Sequence, residues 1–584
     1  VPSVRSRGLR WLRRLLVAAL LITLCFVIWC SIELVRARAD LSSARGHLIA
    51  AQASISGDSS LLDRELVSAG ASARSARQSL DRPPLRGLAR LPWIGDPIDS
   101  TKSIADVLDQ VANTALPPAA EAVRTLTTRP LLDAGRIDVN AIRGSQPALG
   151  TAASATADAL RQAQQIRART WLGPVNRARS ELVDQLTRLD STLRSARTAT
   201  DLAPGMLGAD RKRTYLVGLQ NNAEARGTGG LVGGLVLFST DRGRITLDRV
   251  VKDLALPPGR GLDLGADYRN LYGTTDPTQI WQNSNQSPHF PYAARIWRSL
   301  ARQLTGVTAD VVIGIDPPGL RSILSATGPI TLDDGETATA DNIVQLTESA
   351  AYARFDTDRS GRKTYLADIA EATFDRITSG RFQIKALAEA FGDATKNGRI
   401  AMWSQVPAEQ AELAATDLGH EVPYGPGPYA NVVVNNSYAS KLDYYLSRAI
   451  TYRRGACADT TQEILVDVTL RSDVPDTRLS PEVLGTFLPG GGTLPPRSNK
   501  LTVSLYSSWG SQLTALTVDG VSVGLGRGTE LGHPAHYTVV TLPPGKPVTV
   551  QFALTVPRSD ADLVVPVQPL TNPADVRVLG QPCR

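Results

Sequence analysis

The chain has 584 residues, 42% of them hydrophobic and 20% charged, with four cysteines and a formal net charge of +7. That length argues for about three or four structural units, and that composition excludes wholesale disorder, a collagen-like chain and a disulfide-dense scaffold. The excess charge is local: the first 38 residues hold seven arginines and one acid, Glu33, so the remainder is almost neutral. With only 5% aromatic residues, a nearly neutral remainder excludes nucleic acid as the expected partner.

Residues 15–32 form an uncharged apolar run that Leu34 and Val35 extend to the roughly 20 residues a bilayer-crossing helix needs. The five arginines before it predict a cytoplasmic N-terminus by the positive-inside rule. The expected order is thus a basic cytoplasmic segment over 1–14 and a transmembrane helix over 15–35. Localisation would be single-pass in the cell membrane, with the bulk of the chain extracytoplasmic. A cleaved signal peptide competes, because Ala37-Arg38-Ala39 fits a small-x-small cleavage pattern. The apolar run is longer than a signal peptide needs, and Glu33 and Arg36 crowd that site, so the uncleaved anchor is preferred.

Beyond the anchor, Cys457 and Cys583 are the only cysteines, and in an oxidising compartment they are expected to pair. Two separate buried thiols are the other reading. The five histidines show no zinc spacing.

Residues 36–205 read as a helical stalk or bundle. Leu62, Leu66, Ala69, Ala73, Ala76 and Leu80 mark one apolar stripe, and Leu182, Leu186, Leu189, Leu193 and Ala196 mark a heptad. Pro83-Pro84 ends the first helix and Pro117-Pro118 starts another. From Arg213 short apolar strands alternate with helical blocks, which predicts an α/β or α+β domain over 208–400. From about 430 the pattern alternates with period two between Gly/Pro-rich turns, which predicts a β-sandwich over 430–584. The expected fold class is therefore multidomain: transmembrane helix, helical stalk, central α/β domain and C-terminal sandwich.

Chemistry is expected where polar residues cluster inside the α/β domain. Gln220–Gly230 (QNNAEARGTGG) lies between two apolar strands and reads as a glycine-rich turn able to cradle an anion. Its structural alternative is a tight strand connection. Lys252-Asp253 follows a strand, and Tyr352–Lys363 sets four cations among aspartates. Arginines grip phosphate oxygens with a bidentate fork, although a charge run is also the ordinary sequence of a solvated loop.

Several segments in order resemble the LytR–CpsA–Psr phosphotransferase domain: Tyr215-Leu216-Val217-Gly218, Val250-Val251-Lys252-Asp253, Val311–Leu320, Leu324–Ile330, and Ala351–Arg354 with Arg359 and Arg362. QNNAEARGTGG (220–230), LPWIGDP (91–97) and NNSYASKLDYY (435–445) resemble more closely an actinobacterial-type family of membrane-anchored proteins with a domain of unknown function. The first resemblance implies that Arg226, Lys252, Arg354, Arg359 and Arg362 bind a pyrophosphate. It implies Asp253 as the catalytic residue and, with Glu224, as a ligand of Mg2+. Two positions depart from that pattern. Thr228-Gly229-Gly230 stands where an acidic metal ligand belongs, and Lys252 replaces an arginine.

The implied function is cell-envelope glycan assembly, binding a lipid-linked pyrophosphate or glycopolymer and transferring it. Its partners would be the cytoplasmic membrane, a lipid-linked or cell-wall glycan, and envelope assembly proteins. The alternative is a non-catalytic scaffold that organises glycan assembly or export. A glycosidase using Asp333 and Asp334 is a third, weaker reading.

Overall fold

The computed structural model describes residues 29–30, 32–47, 49–50, 59–91, 93–251, 258–485 and 494–583. They form two compact units. One holds the described residues up to Leu131 together with Asp138–Gly205; the other holds Leu132–Ile137 and Met206 onward.

The first unit is helical. Its longer helices are Ser59–Leu80, Asp96–Gln110, Leu116–Thr127, Val139–Gln165 and Gly173–Met206. Leu66, Ala69, Ala73, Ala76 and Leu80 are all buried on one face of the first. Leu66, Ile104, Val107, Leu160, Leu182 and Leu186 build the main core, which Ala115, Ala120, Ala159 and Ala163 complete. Small alanines let the helix backbones approach closely, so thin stripes suffice to bury a continuous seam. The chain leaves the first helix at Leu80, and Pro83 opens a short helix, Pro83–Ala89, as the missing proline N–H allows.

Among the described residues no helix is long and apolar enough to cross a membrane. The expected transmembrane helix over 15–35, and the single-pass cell-membrane localisation built on it, are therefore not supported. Residues 1–28 and Ser31 lie outside the described residues. The described end of that run continues as helical residues 32–47, where Glu33 is only 1% exposed. Its Oε1 accepts hydrogen bonds from Arg36 at 3.1 Å and Arg82 at 2.6 Å. This stretch buries a carboxylate, held by two half-exposed arginines, rather than an uninterrupted apolar surface.

The second unit contains a seven-stranded sheet and a pair of packed sheets. Strands β1 (Leu132–Asp133), β2 (Arg136–Ile137), β3 (Arg213–Arg226), β4 (Gly229–Asp241), β5 (Arg244–Val251), β6 (Val311–Ile315) and β9 (Ile400–Ser404) lie in the order β1-β2-β5-β4-β3-β6-β9. The hairpin of β7 (Ile330–Thr331) and β8 (Thr337–Ala338) stands apart from it. Only β3 and β6 pair in parallel within the large sheet. Alternation along β3 sends Leu216 to a core with Phe290 and Trp297. Val217 and Leu219 face the opposite side, with Ile323, Leu387 and Phe391. Helices thus cover both faces.

The packed sheets run β10-β13-β17-β16 and β15-β14-β18-β12-β11-β19. The first joins β10 (Ala430–Asn436), β13 (Asn499–Ser507), β16 (Gly526–Glu530) and β17 (His533–Leu542). The second joins β11 (Leu446–Cys457), β12 (Thr461–Ser472), β14 (Gln512–Val518), β15 (Val521–Ser522), β18 (Val548–Pro557) and β19 (Asp575–Leu579). Val432, Val434, Val503 and Leu505 from one sheet meet Val466, Val468, Val550 and Phe552 from the other. Period-two burial along β12 and β18 is the direct product of the alternating sequence. Cys457 and Cys583 form a disulfide across a sequence separation of 126 residues, with their Cα atoms 6.0 Å apart.

Candidate functional site

Residues 220–230, expected as a glycine-rich turn, are mostly strand. β3 continues to Arg226, and only Gly227 and Thr228 make the turn before β4 begins at Gly229. The pairing slips between Asn221, opposite Leu231, and Ala225, opposite Gly230, so residues 222–224 bulge from the ladder. A bulge re-aims side chains that would otherwise alternate across the sheet. Gly227 permits the turn, because a Cβ there would stand 2.2 Å from the Gln286 carbonyl oxygen.

The bulge carries Glu224 into a buried ionic cluster. Glu224 Oε1 accepts from Arg226 Nη2 at 2.7 Å, and Oε2 accepts from Lys441 Nζ. All three residues are less than 10% exposed. Burial works to raise the Glu224 carboxyl, but Lys441 and Arg226 outweigh it and hold it below the ordinary carboxylate value. Arg226 also donates to the carbonyls of Gln282 at 2.9 Å and Asn436 at 3.2 Å. Beside them, Asp443 accepts from the Ala225 amide at 2.7 Å, from Asn436 at 2.8 Å and from Asn499 at 2.6 Å. Burial pushes Asp443 up to about 6.

The remaining expected residues take separate places. Arg362 is buried, with its guanidinium 4.6 Å from the Tyr352 ring centre, and donates to Glu482 at 2.5 Å. Tyr352 accepts from Asn221 at 2.8 Å, which connects this aromatic–cation pair to β3. Arg354 is on the surface, bonded to Asp334 at 3.0 Å and Glu336 at 2.7 Å. Arg359 is exposed at the start of helix Arg359–Thr378. Lys252 and Asp253 lie outside the described residues. Asp333 is exposed beside Asp334, whose carboxylate is taken by Arg354. The structure therefore brings Glu224 and Arg226 together, sets Arg362 one aromatic ring away, and leaves Arg354 and Arg359 on the surface.

Glu224 does not fit the role of an Mg2+ ligand. Both of its oxygens face cations, and a divalent ion beside Lys441 and Arg226 would meet their repulsion. Among the described residues no group of three or more His, Cys, Asp or Glu side chains is placed to hold a metal ion.

Two carboxyl groups that carried no sequence expectation are more unusual. Glu348 lies on a π-helical turn, Leu346–Ala350, and is 1% exposed. Such turns are rare and are frequently found at functional sites. Burial pushes Glu348 up to about 8, and a hydrogen bond from the Thr571 hydroxyl at 2.5 Å opposes that only in part. Asp316 caps helix Pro317–Thr327 by accepting from the Gly319 amide at 2.8 Å. Its other oxygen accepts from Arg399 at 2.9 Å and Asn222 at 3.1 Å, and burial raises its carboxyl.

Lys441, Asp443, Tyr444 and Tyr445 all fall in NNSYASKLDYY, a phrase that stands out in the sequence without revealing their roles. Glu348 had a weaker signal, a lone acid in the helical phrase LTESA.

No curated protein and no solved structure gives a significant match to the chain. Nothing in the comparisons supports the resemblance to LytR–CpsA–Psr phosphotransferases. Residues 210–352, which include Glu224, Arg226, Asp316, Glu348 and Tyr352, match the model of a family described as a protein of unknown function, DUF4012.

Proposed function

We propose that the chain is a non-catalytic glycan-binding component of cell-envelope assembly, which holds a glycopolymer or its lipid-linked precursor for envelope assembly proteins. The observation that carries this reading is the state of the expected phosphate-binding cations. Arg226 is spent on Glu224, Arg362 on Glu482, and Arg354 on Asp334 and Glu336. A pyrophosphate entering the buried cluster would have to displace Glu224 from two cations. Separating one partner from a buried ion pair costs about 3–5 kcal/mol. The Cys457–Cys583 disulfide agrees with work in an oxidising compartment, where such bonds persist.

The test is incubation of the purified full chain with a polyprenyl-pyrophosphate-linked glycan and Mg2+. The glycan should be retained on immobilised protein while no polyprenyl phosphate is released. Release that depends on Asp253 would establish phosphotransfer instead. Failure to retain glycan would remove the binding role.

A further inference from the structure

A cavity of about 180 Å³ opens beside the buried ionic cluster, lined among others by Glu348, Asp356, Lys441, Tyr444, Tyr445 and Ser480. Three separated stretches of chain build it. Glu348 comes from the π-helical turn, and Asp356 from the turn before helix Arg359–Thr378. Lys441, Tyr444 and Tyr445 come from the segment between β10 and β11, and Ser480 caps the short helix Pro481–Leu484.

Its charges are compensated. Lys441 is paired with Glu224, and Asp356 Oδ2 lies 3.9 Å from the guanidinium of Arg478, which also lines the cavity. Glu348, pushed up to about 8 by burial, is neutral at pH 7. The lining nevertheless keeps unmet hydrogen-bonding capacity. The Lys441 ammonium has three donors, of which Glu224 Oε2 takes one. Tyr444 and Tyr445 stand edge to face with ring centres 5.1 Å apart, both only partly buried.

This combination selects a ligand by exclusion. A bare phosphate would face the Asp356 carboxylate and gain no unpaired cation, since Lys441 is paired with Glu224 and Arg478 with Asp356, and a lipid tail would set the Lys441 ammonium against hydrocarbon. The volume is below the roughly 300–1,000 Å³ typical of sites for drug-sized ligands, so there is room for about one ring. A neutral ring rich in hydroxyls supplies a donor for the partly exposed Asp356, acceptors for Lys441 and Ser480, and an apolar C–H face for the tyrosines.

We propose that this cavity binds one neutral sugar residue, as a terminal or branch unit of the glycan. The assignment rests on the glycan-binding reading above and specifies where and how that binding occurs. It is tested with the full chain on immobilised neutral oligosaccharides ending in glucose, galactose, mannose or N-acetylglucosamine, with inorganic phosphate as competitor. Wild type should bind at least one of them, phosphate should not compete, and Tyr444→Ala and Asp356→Asn should each weaken binding at least tenfold. If Tyr444→Ala fails to fold, Asp356→Asn decides, because that side chain is about one-third exposed. Variants that bind as tightly as wild type, or competition by phosphate, would overturn the cavity assignment and leave the broader reading standing. A wild-type chain that binds neither these oligosaccharides nor the lipid-linked glycan would sink both.

Discussion

Glu348 and Glu530 are each 1% exposed, and neither has a cation bonded to it. Glu530 is held by the hydroxyls of Ser287 and Tyr272, and Tyr272 in turn lies 2.6 Å from the Tyr506 hydroxyl. Burial therefore wins at both positions and pushes Glu348 up to about 8 and Glu530 up to about 7. At Glu224 two cations reverse the outcome. The native state consequently holds protons on Glu348 and Glu530 that the unfolded chain has released, so stability declines as pH rises toward those values. His289, His420 and His536 act oppositely, because burial lowers all three from 6.5 and favours the folded state as they lose protons. Their effect is complete only about one unit above 6.5, once the unfolded histidines are neutral, so the two glutamates are in control between about pH 7 and 8. The melting temperature should fall across that interval. Glu348→Gln should remove most of the fall and Glu530→Gln its lower part. A melting temperature that stays level or rises over the same range would contradict this assignment.

Strand β3 shows at the scale of one element why such groups become buried. Its first half, TYLVGL, is apolar and pairs regularly with β4 and β6. Its second half is polar, and its partners are remote. Asn222 reaches the Pro569 carbonyl 347 residues away, Glu224 reaches Lys441 217 residues away, and the Ala225 amide reaches Asp443 218 residues away. A local reading sees polar residues and glycines and infers a turn, because nothing nearby could satisfy them in a strand. The helical unit is the opposite case: Leu66, Ala69, Ala73, Ala76 and Leu80 repeat at helical spacing, so their shared buried face can be read directly. The sequence marks Glu224 and Arg226 as neighbours in a polar cluster, but not that they pair with each other and with Lys441. Lys441, Glu348 and Thr571 meet only after folding. The glycines of β4 make the close approach at the bulge possible. A Cβ on Gly230 would stand 2.2 Å from the Asn221 carbonyl carbon, whereas on Gly233 its nearest neighbour is 4.0 Å away. Gly230→Ala should therefore cost about 1–3 kcal/mol, the usual penalty of overpacking. Gly233→Ala should be nearly neutral in the same urea titration. Equal effects would mean that backbone freedom, rather than space, is what these glycines provide.

Across the whole larger unit, the C-terminal segment ties the seven-stranded sheet to the packed sheets. Val564 exchanges backbone hydrogen bonds of 3.0 Å with Pro428 and Ala430. Gln568 donates to the carbonyls of Val434 at 2.7 Å and Arg226 at 2.6 Å, so one amide joins β10 to the end of β3. Thr571 holds Glu348, and Asn572 donates to the Tyr444 carbonyl at 2.9 Å. β19 then pairs in parallel with β11, and Cys583 closes on Cys457. The disulfide restricts the unfolded chain over a separation of 126 residues, which on the chain-entropy model is worth about 5 kcal/mol. Most of the bonds along this segment are independent of it, so the double variant Cys457→Ser, Cys583→Ser should still fold. It should lose several kcal/mol in guanidinium unfolding, and residues beyond Pro557 should become the first cleaved in limited proteolysis. Glu348 and Tyr444 are both held by this segment, so glycan binding should weaken with the disulfide opened, even while β12 and β18 stay paired. A variant with unchanged stability and an equally resistant tail would show that the hydrogen bonds alone fix the C-terminus. The covalent link would then have no part in shaping the cavity.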